Sequence, residues 1–571
     1  MIEGSFSIAA SESTNHSYHF KNGNIPLSSI TLGELLDNAV DTYGDRIYVV
    51  SHHQGISKTY SEFRNEVQTL ASGFIASGLK RGDRLAIFSP NCYEWALTQF
   101  AAAKAGLILV NLNFLSESEE VEWYLKTVSC TALIMYDKYR RHDYYEILNR
   151  IIPDLPTSDP KNLKSEKFPG LKYIMVISDE HKKGTLRFKD ISSSGNSKSD
   201  AILSQTEKLI QFDDPVNIQF TSGTTNVPKG AVVTHRNVIN NAIRTSELLQ
   251  FHIMTPILCC QVPLFHTFGC VAVSLCTIVV GGTFIMPSPG FDSKESLKII
   301  EKYRCNSIHG TPTMMIDIIK NYKLLQTDIS SLKTVCMAGS SLQDGLFKEL
   351  YNDLKIPSVV VCYGMTETSS TVCSTKAYAD LETMSSGFME SVGELEVKII
   401  DNDGRIVSKG ERGEICVRGF NVFSGYWNNK VKTEEAIDKS RWFHTGDIGV
   451  MNEKGWMKIV GRIKDVVIRG GENIWTAEIE SFLSVHPAIS EVHICGVPDQ
   501  RLGEELCCWI HVEPGMNLTE EEVRNFCKGK ISYYKIPRYI MFVEKFPTTT
   551  SGKVRKTEMA RISVEKLNLK K

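Results

Sequence analysis

The sequence predicts an α/β fold, with a large multi-layered N-terminal domain of mostly parallel sheets and a small α+β C-terminal domain. Short apolar strands alternate with amphipathic helices through the first part of the chain, the pattern of parallel sheets covered by helices. The chain has 571 residues, more than one hydrophobic core supports, so two or more domains are expected. Beyond Asp447 the rhythm changes to short, self-contained strand and helix runs. The boundary is set at residues 463–465. This gives a polar arm at 1–30, a core at 31–463 and a C-terminal unit at 464–571, large enough for a modest core of its own.

In chain order, residues 1–30 are polar and read as a loosely held arm. Thr31-Leu32-Gly33-Glu34 is a capping box, and its helix carries Leu35, Leu36, Ala39, Val40 and Tyr43 on one face before Gly44 stops it. A second amphipathic helix follows Ser61, with Phe63, Val67, Leu70, Phe74 and Ile75 inward and Gly78 at its end. Residues 84–88 form a strand and 94–105 a helix, while 131–136 and 173–178 add β-like runs. Stretches 153–167 and 192–198, rich in Pro, Ser, Lys and Asp, read as surface loops.

Residues 268–286 carry no charge and are long enough to span a bilayer. Gly281-Gly282 interrupts them, and residues 283–286 before Pro287 read as a separate strand, so a buried helix followed by a buried strand is expected. In the C-terminal unit, 466–468 and 492–497 read as strands and 477–483 as a helix ended before Pro487. Thr519-Glu520-Glu521-Glu522 is another capping box, whose helix stops at Gly529.

The net charge is −2, so bulk electrostatics gives no argument for a nucleic-acid or membrane partner. Peripheral contact with a membrane is compatible with this composition. Fifteen cysteines are scattered without any C-x-x-C spacing, and their apolar neighbours mark them as small core residues in a reducing compartment. The N-terminus has no apolar run of signal-peptide length; it lacks arginine over residues 1–21 and carries Glu3 and Glu12, unlike a typical mitochondrial presequence.

The chemistry concentrates first at TSGTTNVPKG, residues 221–230, which follows a short buried strand at 216–220. Hydroxyls, two glycines and a lysine are the composition of a loop that wraps a polyphosphate, because amides, hydroxyls and an ammonium together neutralise phosphate oxygens. A Walker A loop counted from Gly223 would need Gly at 228 and Ser or Thr at 230, where this chain has Pro228 and Gly230. On composition alone an ordinary surface turn explains the stretch equally. Its company decides: YGMTE (363–367), HTGD (444–447), GRIKD (461–465) and TSGKVRK (550–556) follow in order.

Together these motifs resemble the core motifs of the acyl-adenylate-forming enzymes, which include acyl-CoA synthetases, luciferase and peptide-synthetase adenylation domains. The resemblance covers the chain from about Thr31 onward. Through RGGENIW (469–475) and residues 526–553 it is drawn to the medium-chain acyl-CoA synthetases of the family-member-2 type.

The resemblance implies ATP, Mg²⁺ and coenzyme A as co-substrates and cofactor, acyl-AMP as intermediate, and a mobile C-terminal lid. It assigns Thr221, Ser222, Gly223, Thr224, Thr225, Asn226, Val227, Pro228 and Lys229 to the ATP phosphates. Asn226 stands where the family usually has Gly, and Asn tolerates positive φ better than most residues. Thr224 and Glu367 are the expected Mg²⁺ ligands, hard oxygens suited to an ion shared with phosphate. Tyr363, with Gly364 and Thr366, and the wall at Gly339 would hold the adenine; Asp447 would take both ribose hydroxyls, and Arg462 would lie near ribose and phosphate.

Lys553 is expected to carry adenylation, a compact charge on a flexible stem bridging carboxylate and α-phosphate. Lys464 occupies the hinge position and Gly471 the wall of the thiol tunnel. Around the acyl group the resemblance places His266, His309 and Gly310, and His266 reads equally as a core histidine with a satisfied hydrogen bond.

No acidic residue is placed to bind an α-amino group, so an unsubstituted fatty acid is favoured over an amino acid. The expected activity is an ATP-dependent fatty acid–CoA ligase of medium-chain preference. A carrier-loading adenylation enzyme and a luciferase-like oxygenase share these motifs, whereas a non-catalytic nucleotide-binding scaffold would be expected to lose Lys553, Asp447 or Glu367. The chain runs only about fifteen residues past the Lys553 motif with no carrier domain, which favours free CoA. The family leans mitochondrial and the N-terminus does not.

Overall fold

The computed structural model describes residues 15–221, 228–339, 344–470, 472–548 and 553–569. Thr31 caps the helix Leu32–Tyr43 with the expected capping box. The next helix, Tyr60–Ala76, begins one residue before Ser61 because Thr59 and Glu62 form a capping box of their own. Residues 197 and 198, expected in a loop, instead open the helix Ser197–Glu207, with Asn196 as cap.

Two large sheets form the frame. One has eight strands, parallel through Tyr173–Ile177, Ala132–Tyr136, Arg84–Phe88, Ile108–Asn111 and Pro215–Thr221, and then antiparallel at Lys229–Thr234 and Gly425–Tyr426. The other has nine, parallel from Ser358–Tyr363 through Thr334–Ala338, Ser307–Gly310, Ile257–Cys260 and Thr283–Met286 to Ile47–Ser51. Because side chains alternate along a strand, each sheet buries two faces. Leu85, Ile87 and Leu109 from one sheet join Val49, Leu258 and Phe284 from the other in a central core with the helices between them. Ala86, Phe88 and Val110 point the opposite way into a second core. Cys259, Ile285 and Ile308 enter a third. The result is helix, sheet, helix, sheet and helix in layers. All fifteen cysteines are buried free thiols, as small core residues should be.

The uncharged run at 268–286 is a buried helical stretch, Thr267–Gly269, Cys270–Leu275 and Cys276–Ile278, with a π-helical middle, followed by the strand Thr283–Met286. Among the described residues no helix is long and apolar enough to cross a membrane.

A third sheet of five strands is antiparallel: Tyr18–Lys21, Leu395–Ile400, Gly413–Gly419, Phe443–Met451 and Met457–Arg462. Its first strand corrects the expectation of a loose arm. Tyr18 to Lys21 pair with Lys398 to Leu395, and Ser17 is fully buried. Residues 1–14 lie outside the described residues.

Residues from Val466 onward build a separate five-stranded sheet around the long hairpin Ile489–Asp499 and Gly503–Val512. Val467, Ile479, Ile494 and Ile510 belong to its own core. The helix Glu520–Cys527 starts on the expected Thr519 capping box and ends two residues before Gly529.

The strand Ser358–Tyr363 turns into Cys373–Ser374 through a tight excursion that contains the turn Thr366–Thr368. It closes by packing Gly364 on the carbonyl of Ser370. A Cβ at Gly364 would lie 1.6 Å from that oxygen, so only glycine fits without moving backbone. Gly364→Ala is therefore expected to lower the unfolding temperature by several degrees, roughly 1–3 kcal/mol. An unchanged thermal denaturation curve would show that the turn has slack.

Candidate active site

The site forms where strands of the nine-stranded sheet end. Gly310, Gly339 and Tyr363 lie at or just past the C-terminal ends of three adjacent parallel strands, where open α/β sheets offer a crevice. The described ends of the phosphate-loop candidate belong to strands of the neighbouring sheet. Thr221 and Lys229, which flank residues 222–228, are paired across two antiparallel strands. Ser222, Gly223, Thr224, Thr225, Asn226 and Val227 lie outside the described residues, as does Gly471. The second flank is fixed: Trp123 Nε1 donates to the Pro228 carbonyl at 3.0 Å, and the Trp427 amide to the Gly230 carbonyl at 2.8 Å. The Thr221 hydroxyl is buried with no hydrogen-bond partner among the described residues. An unpaired buried hydroxyl at a loop of this composition fits an anionic acceptor.

Lys229 Nζ sits 4.2 Å from the centroid of the Tyr426 ring, and Tyr426 OH donates to Glu367 Oε1 at 2.8 Å. The two charges are thus linked through one aromatic ring. Burial lowers the Lys229 pKa, which Glu367 partly opposes. Glu367 is held from behind as well, since the Phe423 amide donates to its carbonyl at 2.9 Å. Thr366 beside it is buried. A carboxylate held through Oε1, on a residue whose backbone is also fixed, has the hard oxygen donors that Mg²⁺ takes.

Asp447 is 2% exposed. Its Oδ2 accepts from Tyr363 OH at 2.7 Å and its Oδ1 pairs with Arg462 Nε at 2.8 Å, while the backbones of Asp447 and Arg462 are directly paired across two strands. Each carboxylate oxygen still has room for a second donor. Burial first, then the Asp447 charge, pushes the Tyr363 phenol well above its usual range. Asp447 in turn raises the pKa of Arg462.

Lys553 reaches this group from the C-terminal unit. Its Cε lies 3.5 Å from where a Cβ on Gly339 would stand, and Gly339 has φ +97°. Burial lowers the Lys553 pKa, and Arg462 and Lys464 lower it further against Asp447 and Glu367. Lys464, in the turn Ile463–Asp465, is itself lowered by burial and by Arg462. The arrangement brings the cations Lys229, Arg462, Lys464 and Lys553 together with Asp447 and Glu367, with Asp465 beside Arg462 and Lys464 and Glu435 near Lys229. Such a nest favours a polyanion.

His266 caps a short helix, its Nδ1 accepting the Phe268 amide at 3.1 Å. Burial, and then Lys553, lowers its pKa to about 3. It is a neutral ring beside the lysine. His309 is fully buried and stacked between Phe251 and Phe268 at 6.1 and 5.8 Å. Burial lowers its pKa to about 3. Gly310 packs on Gln261, whose Nε2 would be 2.6 Å from a Cβ there.

The structure therefore gathers Thr221, Lys229, Gly339, Tyr363, Glu367, Asp447, Arg462, Lys464, His266 and Lys553 around one crevice. Tyr426, absent from the sequence reading, is the link between Lys229 and Glu367. Its only local signal is an aromatic pair after Gly425, where φ is +138°.

The AMP-binding enzyme family profile matches residues 36–427, and the profile of the AMP-binding enzyme C-terminal domain matches residues 478–553. The chain is similar to the medium-chain acyl-CoA ligase ACSF2, mitochondrial, of Danio rerio, with 40% identity over 95% of this chain and 90% of that protein. It is 38% identical to the putative acyl-CoA synthetase YngI of Bacillus subtilis, over 94% and 98% of the two chains. Its fold is that of the anthranilate CoA ligase AuaEII solved with anthranoyl-AMP, with TM-score 0.83 and 22% identity over 95% and 99% of the chains. It is also that of ATP-bound MatB from Rhodopseudomonas palustris, with TM-score 0.80 and 24% identity over 94% and 99%. Matched by that family's profile over more than half its length, the chain belongs to the AMP-binding enzymes.

Proposed function

We propose that this protein is an ATP-dependent fatty acid–CoA ligase of medium-chain preference. The observation that carries the reading is Lys553, delivered by the C-terminal unit against Gly339 within the field of Asp447, Glu367 and Arg462. Names of relatives at 36–40% identity supply the chain-length class and the mitochondrial compartment. Fractionation of cells expressing the full chain tests the compartment.

A carboxylate is a poor electrophile because its leaving group would be oxide. In the first step its oxygen attacks the α-phosphorus of ATP, and the bond to pyrophosphate breaks. In the second a thiol attacks the acyl carbon, the bond to AMP breaks, and the thiol proton goes to solvent. The obstacle in the first step is an anion approaching a polyanion, so cations must stand where charge develops.

Residues 221–229 would hold the β- and γ-phosphates, with Lys229 as the fixed charge of that loop. Glu367 and Thr224 would hold Mg²⁺, which supplies screening of phosphate charge when bound. The Tyr363–Asp447–Arg462 chain would hold adenosine, with the second lone pairs of Asp447 taking the ribose hydroxyls. Lys553 would bridge acid and α-phosphate. Lys464 would be the hinge about which residues 464–571 turn after adenylation, and Gly471 would leave room for the pantetheine thiol of CoA.

A panel of C4 to C18 acids with ATP, Mg²⁺ and CoA, read by pyrophosphate and thioester, tests the activity. Optimal turnover near C8 to C12 is expected. Turnover confined to long chains would overturn the chain-length class, and no thioester from any acid would overturn the ligase.

Lys553→Ala should slow pyrophosphate release a few hundredfold, about 3–4 kcal/mol, yet leave thioester formation from synthetic acyl-AMP near normal. Since the charged ammonium acts and its pKa is lowered, wild-type adenylation should fall as pH rises through a value below the usual 10.5 of lysine. The acyl-AMP-started reaction should lack that fall. Equal loss in both half-reactions would remove Lys553 from its role.

Gly471→Leu should do the reverse, sparing acyl-AMP formation and blocking thioester formation. If both steps survive it, the tunnel lies elsewhere.

A further inference from the structure

Where the strands Gly413–Gly419 and Phe443–Met451 pair, Glu414 faces Ile448 but Cys416 faces His444. Ile415 alone therefore opposes Thr445, Gly446 and Asp447, and the second strand bulges toward the crevice. Such a bulge forfeits ladder hydrogen bonds and re-aims a side chain, so something must hold it. Glu414 does so with both oxygens. Oε1 accepts the Gly446 amide at 3.0 Å, and Oε2 meets His444 Nδ1 at 2.9 Å. A second tie runs from Thr445 Oγ1, which donates to the Ile415 carbonyl at 2.8 Å and accepts the Asp447 amide at 3.0 Å. Gly446 has φ +70°, the left-handed conformation this turn requires.

We infer that Glu414 is a positioning residue for nucleotide binding, and that its ion pair with His444 fixes the bulge that aims Asp447 at the ribose. This rests on the reading of Asp447 given above. Asp447 meets Tyr363 and Arg462 at 2.7 and 2.8 Å, so a shift of the bulge by about 1 Å would break both contacts. His444 is flanked by Cys416 Sγ at 3.6 Å and, through Nε2, by Asp438 Oδ2 at 3.7 Å. Arg418 lies within reach of Asp438, and Lys398 of Cys416. Hydrogen bonds to Cys416 and Glu414 raise the His444 pKa to about 10, which keeps the ring protonated through the physiological range. Glu414, Cys416 and His444 also bring three ligand-type atoms within 4.8 Å of one another. Both carboxylate oxygens are already committed, however, which makes a brace the better use of the cluster than a metal.

The test is Glu414→Gln, equal in volume, with Glu414→Ala beside it. The Gln carbonyl can still accept the Gly446 amide, but the charged tie to His444 Nδ1 is lost, and only Asp438, 3.7 Å from Nε2, remains beside the ring. Calorimetry with ATP and AMP, and separately with octanoate, avoids any dependence on turnover. At pH 8, Glu414→Gln should bind ATP and AMP about tenfold more weakly, with acid affinity and unfolding temperature little changed. The deficit should grow toward pH 5.5, because a protonated His444 Nδ1 would face the Gln amide NH2, itself a donor, whereas a neutral ring can accept from it; the wild type should show no such change.

Nucleotide affinity within twofold of wild type at both pH values would overturn the inference. So would a lowered unfolding temperature with every ligand weakened alike, which would assign Glu414 to the fold. Should Glu414→Ala not fold, Glu414→Gln alone decides. If wild-type protein binds neither ATP nor AMP, the functional reading itself fails, an outcome separate from these.

Discussion

A carboxylate at 2% exposure, as Asp447 is, is stable as an anion only where hydrogen bonds and opposite charge replace the water it has lost. Here the replacement comes from two places. The Tyr363 phenol comes from the end of a parallel strand in the nine-stranded sheet, and the Arg462 guanidinium from the last strand of the antiparallel sheet. Removing either partner would leave a buried charge half-satisfied, at several kcal/mol. The need to satisfy one carboxylate thus ties two sheets together at the point where the crevice opens. It also sets the electrostatics around Lys553, whose lowered pKa reflects burial and two neighbouring cations more than Asp447 and Glu367 offset.

That imbalance gives the crevice its chemical character. Lys229, Lys464 and Lys553 have pKa values lowered first by burial, and Arg462 adds to the shift of Lys464 and Lys553. The free protein pays for this crowding, and a bound polyphosphate would relieve it. Affinity for nucleotide and strain in its absence are then two sides of one arrangement. The neutral His266 ring beside Lys553 adds no further positive charge to the nest.

Local signals were the legible ones. Thr31 and Thr519 announce their helices because a capping box is complete within four residues. The motif residues were legible because charge, hydroxyl and glycine cluster where apolar periodicity stops. Features that depend on distant partners were not. The strand Tyr18–Lys21 pairs with Leu395–Ile400 and carries no pattern of its own that distinguishes it from a polar arm. Tyr426 sits in a run that looks like any aromatic turn, and its link to Glu367 spans 59 residues. Glu414 reads as one more exposed acid until the bulge opposite it is seen. His309, grouped with the acyl site by resemblance, is a fully buried ring stacked between two phenylalanines, a placement set by residues far from it in sequence.

Under the rotation proposed above, the contacts that dock residues 464–571 in this pose would suit a part that has to leave. Arg412 and Glu478 face each other across the boundary at 3.4 Å, with side chains 43% and 39% exposed. Such a pair is worth about 0–1 kcal/mol and weakens with salt. Beside it the Trp475 ring packs on Gly461, 3.5 Å from where a Cβ would be, so the contact is flat and unkeyed. Deeper in, Lys553 is drawn by Asp447 and Glu367 and repelled by Arg462 and Lys464. Substrate phosphate would tip that balance toward docking, and departure of pyrophosphate would remove the anion that favours it. If Lys553 acts as proposed, an interface gated by ligand charge would need no separate trigger, because the departing pyrophosphate would also release the lysine.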